Sequence, residues 1–336
     1  MKLKVSALFR PDAYTHDFSL PPSSSNPGGG LAKKAQQLAL ALPFVEFTSD
    51  ILDLGEIVIL EPLWFTSAPP PDDNRPFLEI LMERAGMYAE HRAFKLLWTS
   101  DFDVFRWESP VREQVFEATD ILCGNSPYMV RVLDAFAKHV TLLTDPFDIN
   151  SIVPAPVKKP SIYSCSQVIA EKRVDGIVDI YNHDRLQHLT LQKGFIGSSQ
   201  VWGIDNPNDT QTAKLERDLT EACDWRIESA AAHEVRSWAT EAWGYISNAG
   251  METFGYGLAE AMAGGAECFC SDHLAYAGRP VNYFGSTEEA VSLITERYEA
   301  MDFTPVDASR QWLSENCGLD VFRKQFWQIV GGAYGA

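Results

Sequence analysis

Apolar positions along the chain alternate between short continuous runs and longer stretches with a period near 3.6, as expected of strands alternating with amphipathic helices. In the first half, Lys2–Phe9, Glu56–Leu63, Phe94–Trp98, Ile121–Cys123 and His139–Leu143 read as strands. Leu31–Leu42, Pro76–Glu90, Ser109–Ala118 and Pro127–Ala137 read as the helices among them. The second half repeats the pattern, with strands at Ser161–Ile169, His188–Leu191, Tyr245–Ser247 and Ala266–Cys270. Its helices are expected at Asp175–Tyr181, Thr212–Cys223, Ala232–Trp243, Glu288–Ala300, Ala308–Glu315 and Val321–Val330. Strand and helix in regular succession predict parallel sheets covered on both faces, that is, an α/β fold of two doubly wound, Rossmann-like domains facing each other across a cleft.

A length of 336 residues suits two such domains. The stretch Asp145 to Pro160, with four prolines and two adjacent lysines, is the expected linker. This gives domains at 1–152 and 153–318, with a C-terminal helix of about 319–336 expected to pack back on the first.

With 46% hydrophobic residues, the chain can bury large cores. Formal charge is −18, spread as −8 over residues 1–150 and −10 over the rest. Uniform acidity argues against a broad nucleic-acid or anionic-membrane surface, which needs clustered cations. Six scattered cysteines, at 123, 165, 223, 268, 270 and 317, lack paired metal spacing and read as buried thiols of a reducing compartment. No signal-peptide core or membrane-length apolar run is present, so a cytoplasmic location is expected.

Candidate chemistry concentrates in residues 247–272. Glu252 and Glu260 bracket Gly255-Tyr256-Gly257 at the start of a helix, which stops at Gly264-Gly265 before the next strand. A helix N-terminus presents free N–H groups and partial positive charge, which suits a phosphate. A carboxylate on either side could accept hydrogen bonds from the hydroxyls of a nucleotide-sugar. The alternative is an N-terminal helix charge at Glu252 and a solvated helix residue at Glu260. Near the N-terminus, the long Pro/Ser/Gly-rich segment 10–30 follows the first strand and ends in Gly28-Gly29-Gly30. Strand, glycine-rich loop and helix open a nucleotide-binding domain, but the triplet does not match G-x-G-x-x-G, so a ligand loop and a bare flexible loop both remain open. His16 in this segment could reach an acceptor or simply lie exposed.

The run Glu252-Thr253-Phe254-Gly255-Tyr256-Gly257-Leu258-Ala259-Glu260-Ala261-Met262-Ala263-Gly264-Gly265 resembles the Glu-x7-Glu signature of the retaining, nucleotide-sugar-dependent glycosyltransferases of family 4, which have the GT-B fold. Ser161–Arg173, Ala231–Val235, Gly28–Leu42 and Asp120–Ser126 resemble other blocks of that family less specifically. The resemblance implies transfer of a sugar from a UDP- or GDP-sugar to an acceptor hydroxyl with retained configuration. It places Glu252 on the donor sugar, the N–H groups of Thr253, Phe254, Gly255, Tyr256 and Gly257 on the diphosphate, and Glu260 on the ribose. Lys172 falls where the family neutralises the donor phosphates, and His233 lies in the segment whose backbone reads the nucleobase. No cofactor and no metal are implied at the reaction centre; the nucleotide-sugar is a substrate.

Two departures qualify this reading. Gln167 stands where the family has an arginine, with Arg173 as a candidate substitute. At the end of the 94–98 strand, where the family often has a histidine, the chain reads Thr99-Ser100-Asp101-Phe102-Asp103. Asp101 is the carboxylate placed to fill that role, against a turn or helix cap as the alternative; Asp101 and Asp103 alone make a weak metal site. The acidic first domain favours a saccharide, small-molecule or protein acceptor. Alternatives are a phage-type DNA glycosyltransferase acting on a modified base, an inactive nucleotide-sugar-binding module, and a nicotinamide oxidoreductase; the last lacks its glycine fingerprint.

Overall fold

The structure, a computed structural model, describes residues 4–15, 17, 30–65, 75–99, 103–137, 139–168, 172–197, 210–228, 230–250, 252, 254–273, 276–300 and 303–334. These residues divide into two compact units: 4–15, 31–146 and 319–334 form one, and 147–318 form the other. Each is built on a six-stranded, wholly parallel sheet.

In the first unit the strands are β1 (Val5–Leu8), β2 (Val45–Thr48), β3 (Ile57–Leu60), β4 (Phe94–Thr99), β5 (Ile121–Gly124) and β6 (Val140–Leu142), in the order β2-β1-β3-β4-β5-β6. Successive side chains go to opposite faces. Val5, Ala7, Ile57, Ile59, Leu96 and Trp98 meet one helical layer, and Leu8, Val58, Leu60, Leu97 and Leu122 meet another. Burial on both faces explains why these strands read as largely apolar runs, interrupted only by residues such as buried Ser6 and Lys95. The C-terminal helix Leu319–Tyr334 belongs to this unit: Phe322, Phe326 and Val330, one stripe at four-residue spacing, are buried against β1, β3 and β4. Each such burial stabilises by roughly 1.5–3 kcal/mol. Arg323 adds a 2.6 Å bond from Nε to the Ala41 carbonyl at the end of the helix Gly30–Ala41.

The second unit holds β7 (Lys159–Cys165), β8 (Gln192–Ile196), β9 (Trp225–Ile227), β10 (Ala242–Ser247), β11 (Glu267–Ser271) and β12 (Asn282–Phe284), in the order β12-β11-β10-β7-β8-β9. Counted from its own first strand, this is the 3-2-1-4-5-6 order of a dinucleotide-binding sheet, and the order reverses between β7 and β10. Helices Val174–Tyr181, Thr210–Ala222 and Thr287–Ala300 cover one face; Ala232–Glu241, Tyr256–Ala263 and Asp307–Cys317 cover the other.

The division between the units falls at 146/147, within the proline-rich stretch from 145 to 160, and the residues after it are hydrogen-bonded along the second unit. The Phe147 N–H bonds the Cys317 carbonyl, Arg310 Nη1 donates 2.7 Å to the Ile152 carbonyl, and buried Lys158 donates from Nζ to the carbonyls of Thr240 and Gly264. Its prolines shape an ordered path along the second unit. The strand expected at His188–Leu191 forms instead at Gln192–Ile196. Lys193 is buried there, with Nζ on the Tyr181 carbonyl, and Gly194 makes room for the Trp225 ring, so a polar and glycine-bearing sequence fills a central strand. Three short strands, β2, β9 and β12, carry no apolar run long enough to announce them.

Candidate functional site

Ligands in open α/β sheets bind beyond the carboxyl ends of the strands where the order reverses. In the second unit that place is marked by the ends of β7 and β10. After β7 the chain passes Gln167, which is half-buried, and reaches Lys172 and Arg173 ahead of the helix Val174–Tyr181. After β10 it runs through Asn248 and Gly250 to Glu252 and the helix Tyr256–Ala263. Lys172 Nζ bonds Glu252 Oε2 at 3.0 Å, each side chain 20% exposed. Two residues 80 apart in sequence are thus joined at the reversal point.

The turn into the Tyr256–Ala263 helix is made by Gly255 at φ +71°, a left-handed conformation that glycine adopts without penalty. A Cβ there would come within 3.2 Å of the Tyr276 ring and 3.4 Å of the Glu252 Cγ, so the glycine also lets Glu252 fold over the helix start. Phe254 is buried and packs edge-on to Tyr256 at 4.8 Å. Gly257 brings the first helical turn close to the end of β7, where an added Cβ would lie 3.2 Å from the Cys165 carbonyl. Glu260 is 4% exposed, so it is not a solvated helix residue; burial of a carboxylate here requires polar partners.

Arg173, the candidate substitute for the missing arginine, lies against the loop after β10. Its backbone is left-handed at φ 45°, its carbonyl accepts from Asn248 Nδ2 at 3.2 Å, and its side chain lies across Gly250, where an added Cβ would meet Nε at 2.4 Å. Beside it a cavity of about 320 Å³ is lined by Arg173, Asn248, Gly250, Asp272, His273 and Thr287. His273 was not found from sequence. Burial pushes its pKa below the usual imidazole value, Lys172 and Arg173 act in the same direction, and Glu252 and the Gly250 carbonyl oppose them. Its position two residues past β11, at a strand's carboxyl end, was the available signal.

The remaining candidates are not gathered at this pair. His233 is exposed on the first turn of the helix Ala232–Glu241, beyond the edge strand β9. Gly30 opens the helix Gly30–Ala41. Asp101, Thr253, His16, Gly28 and Gly29 lie outside the described residues, and of Asp103 only its place at the start of the short helix Asp103–Arg106 is described. In the first unit, Lys34 is buried with Nζ 4.0 Å over the Trp98 ring and 3.2 Å from its carbonyl, and Asn125 Nδ2 donates 2.7 Å to buried Asp145. A groove of about 650 Å³ lined by Phe94, Ile121, Thr141, Gln325 and Ile329 lies at the amino ends of β4 and β5, away from the ends that bind ligands in such sheets. No cluster of metal-ligating side chains occurs among the described residues. No described helix is long and apolar enough to cross a membrane.

No protein-family model and no curated protein matches the chain. Solved structures do. Sucrose-phosphate synthase from Thermosynechococcus elongatus is similar at 12% identity, covering 99% of both chains with a TM-score of 0.69. HepE from Anabaena, solved in complex with UDP and glucose, is similar at 11% identity over 98% of this chain and 100% of its own, with a TM-score of 0.66. AviGT4, a glycosyltransferase involved in avilamycin A biosynthesis, is 12% identical over 97% of this chain and 96% of its own, with a TM-score of 0.58. The fold is that of the GT-B glycosyltransferase structures, as the sequence motif implied.

Proposed function

We propose that the protein is a glycosyltransferase that moves a sugar from a nucleoside-diphosphate-sugar to an acceptor hydroxyl. The observation that carries this reading is the Lys172–Glu252 pair at the order reversal of the second sheet, next to a glycine-opened helix N-terminus. Each part suits one portion of such a donor. The helix start offers N–H groups to a diphosphate. Lys172 supplies a fixed cation where negative charge grows on the departing nucleoside diphosphate, and Arg173 stands beside it in place of the arginine that Gln167 replaces. Glu252 takes hydroxyls of the transferred sugar, and Glu260 those of the ribose. Without a donor, Lys172 and Glu252 neutralise each other; a donor exchanges that contact for phosphate on one side and sugar on the other.

No side chain of the second unit is assigned as a nucleophile, and a same-face displacement assisted by the leaving phosphate, with retention, is the mechanism that fits. On this reading no metal is required, and a chelator leaves turnover unchanged. The acidic surface supports a saccharide, small-molecule or protein acceptor over DNA. That HepE was solved with UDP and glucose, and with UDP-glucose, supports a uridine-linked hexose as the first donor to try.

Gln167 favours a second reading, a module that binds nucleotide-sugar without transferring it. One experiment separates the two. The protein is incubated with UDP-, GDP- and ADP-sugars and a crude acceptor extract, products are followed by mass spectrometry, and nucleotide binding is measured by calorimetry. Transfer or slow donor hydrolysis supports the enzyme, and anomeric coupling in the product reports retention. Binding without turnover supports the module. Neither binding nor hydrolysis with any donor overturns both.

A further inference from the structure

Arg279 belongs to none of the sequence motifs, yet it is buried at 6% exposure beneath the loop that opens the Tyr256–Ala263 helix. Nη2 donates 2.6 Å to the Phe254 carbonyl, and the cation sits over the rings of Phe254, Tyr276 and Trp312 at 5.1, 5.6 and 5.7 Å. Nη1 is buried without a hydrogen-bond partner among the described residues. Burying a guanidinium that is only partly satisfied is a poor way to stabilise a core; well-packed apolar side chains do as well or better. The contact that the arrangement does secure is the one to Phe254.

That contact is held from behind. Tyr283 donates its hydroxyl to the carbonyls of Tyr276 and Arg279, fixing the turn that carries the arginine. Tyr276 OH lies 3.0 Å from Ser247 Oγ, tying the same turn to the end of β10. The peptide between Phe254 and Gly255 is a rigid trans plane in which carbonyl and N–H leave opposite edges. Drawing the carbonyl toward the buried guanidinium therefore turns the Gly255 N–H away from it. Gly255, with no Cβ and left-handed backbone, would otherwise be the most adaptable link in this loop.

We infer that Arg279 is a positioning residue, which through the Phe254 carbonyl sets the peptide plane that presents the Gly255 N–H at the anion-binding end of the Tyr256–Ala263 helix. Its effect on a donor diphosphate rests on the function proposed above; its effect on the loop does not.

The test uses the ligand-free chain and Arg279→Met, with Tyr283→Phe as a second variant that loosens the turn and leaves the buried charge in place. Hydrogen exchange is followed in peptides covering 252–258, β10 and β11, and UDP and GDP affinities are measured by calorimetry. Faster exchange at 252–258, with β10 and β11 protected as in the wild type, is expected in Arg279→Met and more weakly in Tyr283→Phe. Nucleotide affinity should fall about 10- to 100-fold in Arg279→Met, the range for losing a charge-assisted contact. A merely structural arginine would lower the melting temperature and loosen all three segments alike. Wild-type exchange at 252–258 in both folded variants overturns the inference, as does wild-type exchange in Tyr283→Phe if Arg279→Met does not fold. If the wild type binds neither nucleotide, the donor reading falls, and the exchange result still decides the role of Arg279.

Discussion

Lys172 and Glu252 meet at 3.0 Å although their loops leave different strands, β7 and β10. Those strands are neighbours only because the second unit reverses its strand order there. The pair is half-buried: dry enough for its charges to act on a neighbouring ligand, wet enough for the ion pair itself to add little stability. Its geometry is therefore better explained by what the two groups can hold than by what they contribute to folding.

Lys172→Ala and Glu252→Gln should each leave stability within about 1 kcal/mol of the wild type, as for exposed or half-exposed ion pairs. Sugar transfer should fall by roughly 100- to 1,000-fold in Lys172→Ala, the scale for losing one group that stabilises developing charge. Thermal unfolding and single-turnover rates measured together check both parts. A large stability loss with normal turnover would make the pair structural.

Gly255 and Gly331 should respond to alanine with opposite signs. At Gly255 the left-handed backbone and the Tyr276 ring 3.2 Å from a new Cβ should cost about 1–2 kcal/mol and weaken nucleotide binding. Gly331 lies in the helix Leu319–Tyr334 with nothing within 4 Å of a new Cβ, so alanine should stabilise by about 0.5–1 kcal/mol. Urea midpoints of the two variants against the wild type are sufficient.

The alternation of apolar runs was enough to reveal two doubly wound sheets, because strands buried on both faces, such as Ile57–Leu60, are predominantly apolar. It failed at β8, where Lys193 is buried by a carbonyl and Gly194 by a tryptophan ring, and at the edge strands β2, β9 and β12. The turn at Gly255 was foreshadowed by spacing, since glycine positions around a helix start are local; the burial of Glu260 was not, because spacing alone left it between a ligand contact and a solvated helix residue. His273 and Arg279 were not foreshadowed. Each acts through a loop distant in sequence, and only the parallel order of β7, β10 and β11 brings those loops together.

His273 gives the site a pH dependence whose sign follows from its environment. Burial first, then Lys172 and Arg173, lower its pKa in the folded chain relative to the ordinary value of 6.5, so the folded state favours the neutral ring. A group with a depressed folded pKa contributes stability that is present above the unfolded value and is lost as pH falls through the folded one. Stability should therefore decline on acidification below about 6.5, the ordinary imidazole value, as the ring is forced to charge. His273→Gln should flatten that part of the profile. The check is the melting temperature of both proteins between pH 5 and 8; parallel curves would assign the acid loss to other groups.

Glu260 offers a sharper test of the donor reading than loss of activity, because its proposed partner can be deleted from the ligand instead of the protein. A carboxylate buried at 4% exposure on the helix that follows the Gly255 turn can accept two ribose hydroxyls, and each hydrogen bond to a charged group contributes about 1.5–3 kcal/mol. Wild-type protein should bind UDP at least about tenfold more tightly than 2′-deoxy-UDP, by the same arithmetic. In Glu260→Ala that preference should collapse, because UDP loses both contacts to the carboxylate whereas 2′-deoxy-UDP, which keeps its 3′-hydroxyl, loses one. If Glu260 is a folding residue only, both nucleotides weaken together and the ratio stays where it was. Calorimetric titration of two ligands against two proteins therefore measures the contact itself, independent of whichever sugar and acceptor the enzyme uses.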